Sequence, residues 1–278
     1  MTGPRTVRVE PAMGTVVSID VRGVQPGTAE AALQAFVDEL ANIERTFSPW
    51  IAESEISRIS DGRLVPADAS PEVRFVLSAC DHLRQVSGGA FDVGHAGDGQ
   101  VDPSGFVKGW AIEEGSHWLD EAGFSDYAIN AGGDILVRGD AEPGSGAGWR
   151  IGIRDPWDPG RVVRVVAVRG VAVATSGLYE RGAHIHDPRT AGAPSSADAR
   201  GALASLTVIG PSLAWADAYA TAGFVMAEAG LEWVGARPGY AALAVTADRR
   251  LAWTDPAIFG TSSEFSRTSH QPDVSLGA

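Results

Sequence analysis

Cysteine is almost missing from this sequence: Cys80 is the only one in 278 residues. A lone cysteine excludes an internal disulfide and any cysteine-built metal site. Its place on the apolar face of an expected helix reads as a small core residue and not a reactive thiol. Positive charge is also short, with 22 Lys and Arg against 35 Asp and Glu and a net charge of −13. No basic block occurs. The electrostatic footprint that nucleic acid or an anionic membrane surface would need is therefore absent. Nor does any apolar run approach the roughly 18–20 residues that cross a bilayer. The opening stretch MTGPRTVRVEPAMGT shows neither a charged-then-apolar leader nor a lipid-attachment cysteine. Taken together, these absences lead to the expectation of a cytoplasmic protein without membrane insertion.

What is present is the composition of a globular chain, 44% hydrophobic, long enough for one large domain or two modest lobes. Residues 6–22 alternate apolar and polar around Pro11 and Gly14, the pattern of a two-stranded β-unit. From Thr28, read as an N-cap, Leu33, Phe36, Val37, Leu40 and Ile43 recur at helical spacing. A second helix is signalled by Ser70 as cap, Pro71 at the first position and a stripe through Val73, Val76, Leu77, Cys80 and Leu83, with Gly88-Gly89 as the stop. A third is expected from about Gly105 to Ala122. Strands are expected at 127–129, 135–138, 149–154, 162–169, 171–174 and 203–209, a helix from Ser212, and two last strands at 242–246 and 251–254. Strands and helices do not alternate regularly. The expected class is α+β, with mixed or antiparallel sheets packed against helices. The stretch from Gly260, rich in small polar residues, is expected to be a mobile tail.

Four stretches can carry chemistry. In VDPSGFVKGWA, residues 101–111, Asp102 and Lys108 lie at the start of the third helix, where free amides and the helix dipole favour an anion such as phosphate. Gly105 would let its backbone approach a ligand or expose a carbonyl to a metal. A bland reading competes: Asp102 caps the helix and Lys108 snorkels to solvent. In ADAYATAGF, residues 216–224, Asp217 and Thr221 are four apart and share one helix face in apolar company. A buried carboxylate needs a cation. Carboxylate, hydroxyl and carbonyl together form an all-oxygen set suited to Mg²⁺. The alternative is that Asp217 pairs with an arginine and Thr221 bonds back to helix carbonyls.

The third stretch, VATSGLYERGAHIHDPRTAG, offers His184 and His186, two apart. No third zinc ligand stands at a recognised spacing, so a general base or a phosphate contact is preferred to a zinc site. The fourth, INAGGDI at 129–135, is explained by a tight Gly-Gly turn. GSGAG at 144–148 leads to a strand instead of a helix and is rejected as a dinucleotide fingerprint.

These pieces, in this order, resemble the ApbE-like FAD:protein FMN transferases. The matching elements are AMGT (12–15), FSPW…SEIS (47–57), GGAFDVG (88–94), VDPSGFVKGWA, INAGGDI, WRIGIRDP (149–156), VATSG, HIHDPRTAG and ADAYATAGFVM (216–226). The resemblance implies a two-lobed single chain of the ApbE type, with a flavin transferase domain over residues 1–260 and the tail over 261–278. It implies Mg²⁺ (or Mn²⁺) and FAD as substrate, with FMN passed to a Ser or Thr hydroxyl of an acceptor protein and AMP released.

Carried over residue by residue, the resemblance assigns FAD contacts to Met13, Trp50, Ala90, Phe91, Asp92, Asp102, Lys108 and His186. It assigns the metal to Gly105, Asp217 and Thr221, and catalysis to His184 with Lys108. Trp50 stands where the family usually has tyrosine, and His186 where it has an aliphatic residue. The family's DLGG(I/V)AKG is here DPSGFVKG, and its DPxTG is DPRTAG. Two other activities fit the same residues: an Mg²⁺-dependent FAD pyrophosphatase giving FMN and AMP, and a non-catalytic FAD-binding protein. The expected partners are FAD and a separate flavin-acceptor protein, with the loop 191–201 as an acceptor-facing surface.

Overall fold

The structure, a computed structural model, describes residues 3–94, 99–177, 187–189 and 202–260 and the backbone of Val274–Ser275. The chain opens with a hairpin, β1 (Arg5–Ala12) and β2 (Thr15–Arg22). Its two-residue tip is Met13-Gly14, with positive φ of 54° and 69°. Such tips match the twist of the strands, but a left-handed methionine costs on the order of 1 kcal/mol. Four helices follow: α1 (Glu30–Phe47), α2 (Glu55–Ser60), α3 (Pro71–Val86) and α4 (Ser104–Glu121). Then come β3 (Tyr127–Ala131), β4 (Asp134–Arg138), β5 (Trp149–Asp155), β6 (Asp158–Val168), β7 (Ala172–Gly177) and β8 (Leu203–Gly210). The last elements are α5 (Leu213–Val225), α6 (Glu228–Gly235), β9 (Ala241–Thr246), β10 (Leu251–Trp253), α7 (Pro256–Phe259) and β11 (Val274–Ser275).

Eight strands form one antiparallel sheet in the order β1-β2-β3-β4-β7-β8-β9-β10, and a smaller sheet has the order β11-β5-β6. Each face of the large sheet's central strands is covered. Leu136, Ala174, Leu206 and Ala244 face a core shared with Phe36, Leu40, Phe106 and Ile112 of the helices. Their strand neighbours Ile135, Val173, Ile209 and Leu243 face a second core shared with Trp149, Ile151 and Val166 of the small sheet. Alternate residues of one strand thus serve opposite layers. This is why β8 and β9 are mostly apolar and buried at every position.

The α+β expectation with antiparallel sheets is borne out. Ser70 caps α3, its hydroxyl accepting from Val73 N at 3.4 Å, with Pro71 at the first position. Ser212 caps α5 in the same way. One expectation is corrected: Thr28 does not cap α1. Its amide is used in a turn closed on Gln25 O, and the helix starts at Glu30 behind Ala29, which offers no side-chain acceptor. Of the expected tail, the backbone of Val274–Ser275 pairs in parallel with Ile151–Gly152 of β5. No helix among the described residues is long and apolar enough to cross a membrane.

Candidate functional site

Glycine decides how α4 meets α5. A Cβ on Gly109 would lie 2.7 Å from the backbone of Leu213 and Ala214, so the two helices touch main chain to main chain. Glu113 ties the same crossing, accepting from Leu213 N at 2.5 Å and Ser212 Oγ at 3.1 Å. Burial pushes its carboxyl above the ordinary range, and the bonds from the start of α5 oppose that rise.

This crossing carries Lys108 of α4 to Asp217 of α5. The Lys108 ammonium lies 3.4 Å from Asp217 Oδ2 and 2.5 Å from Asp134 Oδ2 at the start of β4. Both carboxylates are almost enclosed, at 7% and 3% side-chain exposure, while Lys108 keeps 25%. Asp134 is fixed from its other oxygen, which accepts from Thr175 N at 3.3 Å. One turn along α5 from Asp217, Thr221 Oγ1 meets Ser176 Oγ of β7 at 3.2 Å. Asp217 therefore pairs with the lysine, and the Thr221 hydroxyl reaches out to a strand. Asp134 and Ser176 were not anticipated. A usable signal existed, because each is two residues from a strand position facing the helix layer, Leu136 and Ala174.

A second group of motifs gathers at the first turn of α4. After α3, Gly88 and Gly89 take φ of 60° and 83°. Ala90 and Phe91 then turn inward at 1% and 5% exposure. Phe91 packs on Gly105, where a Cβ would stand 3.2 Å from the ring. Asp92 accepts from Gly94 N, and Val93 O accepts from Asp102 N at 2.8 Å. Asp102 opens α4, its carboxylate accepting from Ser104 N at 3.0 Å and from the Ser104 hydroxyl. Arg189 joins this group. It forks onto Asp187 at 2.8 and 2.9 Å, reaches Val225 O at 3.5 Å and lies over Gly89. That fork holds the Asp187 carboxyl below its usual range.

Met13 belongs to the hairpin tip whose Thr15 abuts Gly132, two residues before Asp134. Trp50 sits on the turn between α1 and α2 with 91% of its surface exposed. His184, His186 and the loop 191–201 lie outside the described residues.

The chemistry of this donor set suits a hard cation. Asp217 and Thr221 offer oxygen, and the site already holds a positive group against its carboxylates. Among the described residues no group of three or more His, Cys, Asp or Glu side chains forms a conventional metal cluster. An ion here would therefore rest on few protein donors and take the remainder from its ligand, as Mg²⁺ does with phosphates and water.

The ApbE family model matches residues 13–98 and 94–244. An FAD:protein FMN transferase of Rhodobacter capsulatus is 36% identical over 173 residues, 58% of this chain and 30% of that protein. One from Vibrio cholerae is 31% identical over 213 residues, 73% of this chain and 58% of that protein. The aligned regions thus span from under a third to somewhat over half of these relatives' lengths. Among solved structures, the flavin transferase ApbE from Vibrio cholerae superposes with a TM-score of 0.74 at 23% identity, covering 90% of this chain and 96% of that one. The ApbE protein from Thermotoga maritima superposes at 0.76 and 24%, covering 91% and 98%. These two likenesses establish the fold.

Proposed function

The chain belongs to the ApbE family, and from that premise we propose that it transfers the FMN moiety of FAD to a Ser or Thr hydroxyl of an acceptor protein, with Mg²⁺, releasing AMP. The observation that carries this reading is the meeting of Lys108 of α4 with Asp217 of α5, with Thr221 one turn farther along α5. An ammonium beside oxygen donors for a hard cation suits the charge of a bridging diphosphate.

In this reading the acceptor oxygen attacks the phosphorus of the FMN half. A new P–O bond forms, the bond joining that phosphorus to the bridging oxygen breaks, and the electron pair leaves with AMP. Lys108 holds phosphate oxygens in place. Asp217, Thr221 and the Gly105 carbonyl would hold the divalent ion, which when bound neutralises diphosphate charge as a Lewis acid. His184 takes the proton of the acceptor hydroxyl. Met13, Trp50, Ala90, Phe91, Asp92, Asp102 and His186 bind the dinucleotide. The positive-φ turn at Met13 and the exposed Trp50 ring, which packs into no core, support that assignment. The transferase domain is taken to be residues 1–260.

The test is mass spectrometry of a candidate acceptor domain incubated with this protein, FAD and Mg²⁺. The expected product carries FMN less one water on a Ser or Thr, and His184→Ala and Asp217→Ala abolish it. Free FMN with an unlabelled acceptor would replace transfer by pyrophosphatase activity. Intact FAD after long incubation would leave only binding.

A further inference from the structure

The ion pairs of Lys108 with Asp134 and with Asp217 are unequal. Its ammonium is 2.5 Å from Asp134 and 3.4 Å from Asp217. The closer partner is also the fixed one, since Asp134 begins β4 and is pinned through Thr175 N. Asp217 is the carboxylate that a divalent ion would use. Taking Asp217 and Thr221 as donors to that ion, the reading proposed above, we propose that Asp134 is a positioning residue: it retains Lys108 so that a divalent ion can displace the ammonium from Asp217 without driving it out of the site.

The reasoning is electrostatic. In the structure as described, Lys108 compensates the charge of Asp217, a service the enclosed carboxylate requires. An arriving divalent ion competes for the same oxygen and repels the ammonium, strongly so in a site this enclosed. A lysine with a quarter of its surface exposed has an easy escape, because its flexible stem can carry the charge into water. The short contact to Asp134 opposes that escape. Lys108 then stays within reach of a phosphate as the ion settles on Asp217. The lysine is thus a placeholder cation on Asp217, and Asp134 is its second berth.

Opposite signs follow for two substitutions, read as Mn²⁺ affinity of the protein without FAD, from electron paramagnetic resonance of the unbound ion. Lys108→Met removes the competitor, and Mn²⁺ binds tighter by on the order of tenfold. Asp134→Asn leaves the ammonium to Asp217, and Mn²⁺ binds weaker by a similar factor, equivalent to about 1.4 kcal/mol. Because Asp134 acts through Lys108, its effect shrinks markedly when Asp134→Asn is made in the Lys108→Met background. Near-ultraviolet circular dichroism checks folding first, with Asp134→Ser and Lys108→Gln replacing any variant that does not fold. An equal loss in both backgrounds would make Asp134 a mere source of negative charge and overturn the proposal, as would parental affinity in Asp134→Asn. A parent protein that binds Mn²⁺ no better than Asp217→Ala would instead bring down the donor assignment on which the proposal rests.

Discussion

Gly109 and Ala214 touch backbone to backbone: a single Cβ on Gly109 would stand 2.7 Å from the Ala214 amide nitrogen. Real Cβ atoms do not approach main chain so closely, and the atoms met here are backbone, not the far end of a flexible side chain. Gly109→Ala must therefore push α4 from α5. Overpacking of this kind costs roughly 1–3 kcal/mol, and the displacement falls one residue from Lys108. Urea unfolding should show the loss of stability, and flavin transfer should fall further than stability alone explains. Parental stability in the variant would contradict the close crossing.

Much of this arrangement is legible in the sequence, and the part that is not has a physical reason. Ser70-Pro71 and Ser212 mark their helices because capping is local chemistry, and the alternation of residues 6–22 marks a hairpin for the same reason. Lys108, Asp217 and Thr221 draw notice as polar residues in apolar company. Asp134 escapes notice because INAGGDI is accounted for by its Gly-Gly turn, and only the sheet layer behind it shows which way the acid faces. Gly109 reads as an ordinary helix glycine until α5 is placed against it. Short α2 is missed because six residues carry too little periodicity, although Ser54 caps it by accepting from Ser57 N at 3.0 Å.

Glu113 sets a pH dependence. Burial raises its folded-state value above the ordinary one near 4.5, so the folded protein holds this proton more firmly than the unfolded chain. Between the two values the folded state binds more protons, and stability falls as pH rises. At neutral pH the ionised group therefore carries a cost relative to pH 4.5. Glu113→Gln keeps an acceptor for Leu213 N and removes the titration. Its stability should vary less than the parent's between pH 4.5 and 7, as urea midpoints would record. A parental slope in the variant would assign the dependence elsewhere.

Trp50 offers a separation of binding from folding. With 91% of its surface in water, it contributes little to the core, and its removal should change stability by less than about 0.5 kcal/mol. Stacking of a planar ring on an aromatic side chain is worth roughly 1–3 kcal/mol. Trp50→Ala should thus melt with the parent yet bind FAD on the order of tenfold more weakly in a flavin-fluorescence titration. Trp50→Tyr should restore most of the affinity. Undiminished FAD binding by Trp50→Ala would remove this ring from the site.

Cys80 should be inert. It is buried, and desolvation, aided by the negative charge of Asp102, pushes its thiol up to about 12. The thiolate is the reactive form, so hardly any exists at pH 8. The folded protein should leave an aromatic disulfide reagent unreduced for hours. The urea-unfolded chain should release one equivalent at once, from its only cysteine. Rapid release by folded protein would contradict the burial.

Thr221 can be tested as a metal donor separately from its role in packing. Its hydroxyl bonds Ser176 Oγ at 3.2 Å, and Ser176 is only 4% exposed. Thr221→Val keeps the shape and deletes that hydroxyl, which should cost about 1 kcal/mol from the broken pair. Ser176→Ala breaks the same hydrogen bond from the other side and leaves Thr221 in place. The two variants should therefore lose similar stability in urea. Only Thr221→Val should need more Mg²⁺ to reach half-maximal transfer, and Thr221→Ser, which restores the hydroxyl, should return the requirement toward that of the parent. A shared shift in Mg²⁺ requirement in Thr221→Val and Ser176→Ala would mean that the hydrogen bond matters and the donor does not. An unshifted requirement in Thr221→Val would take this side chain out of the metal's reach.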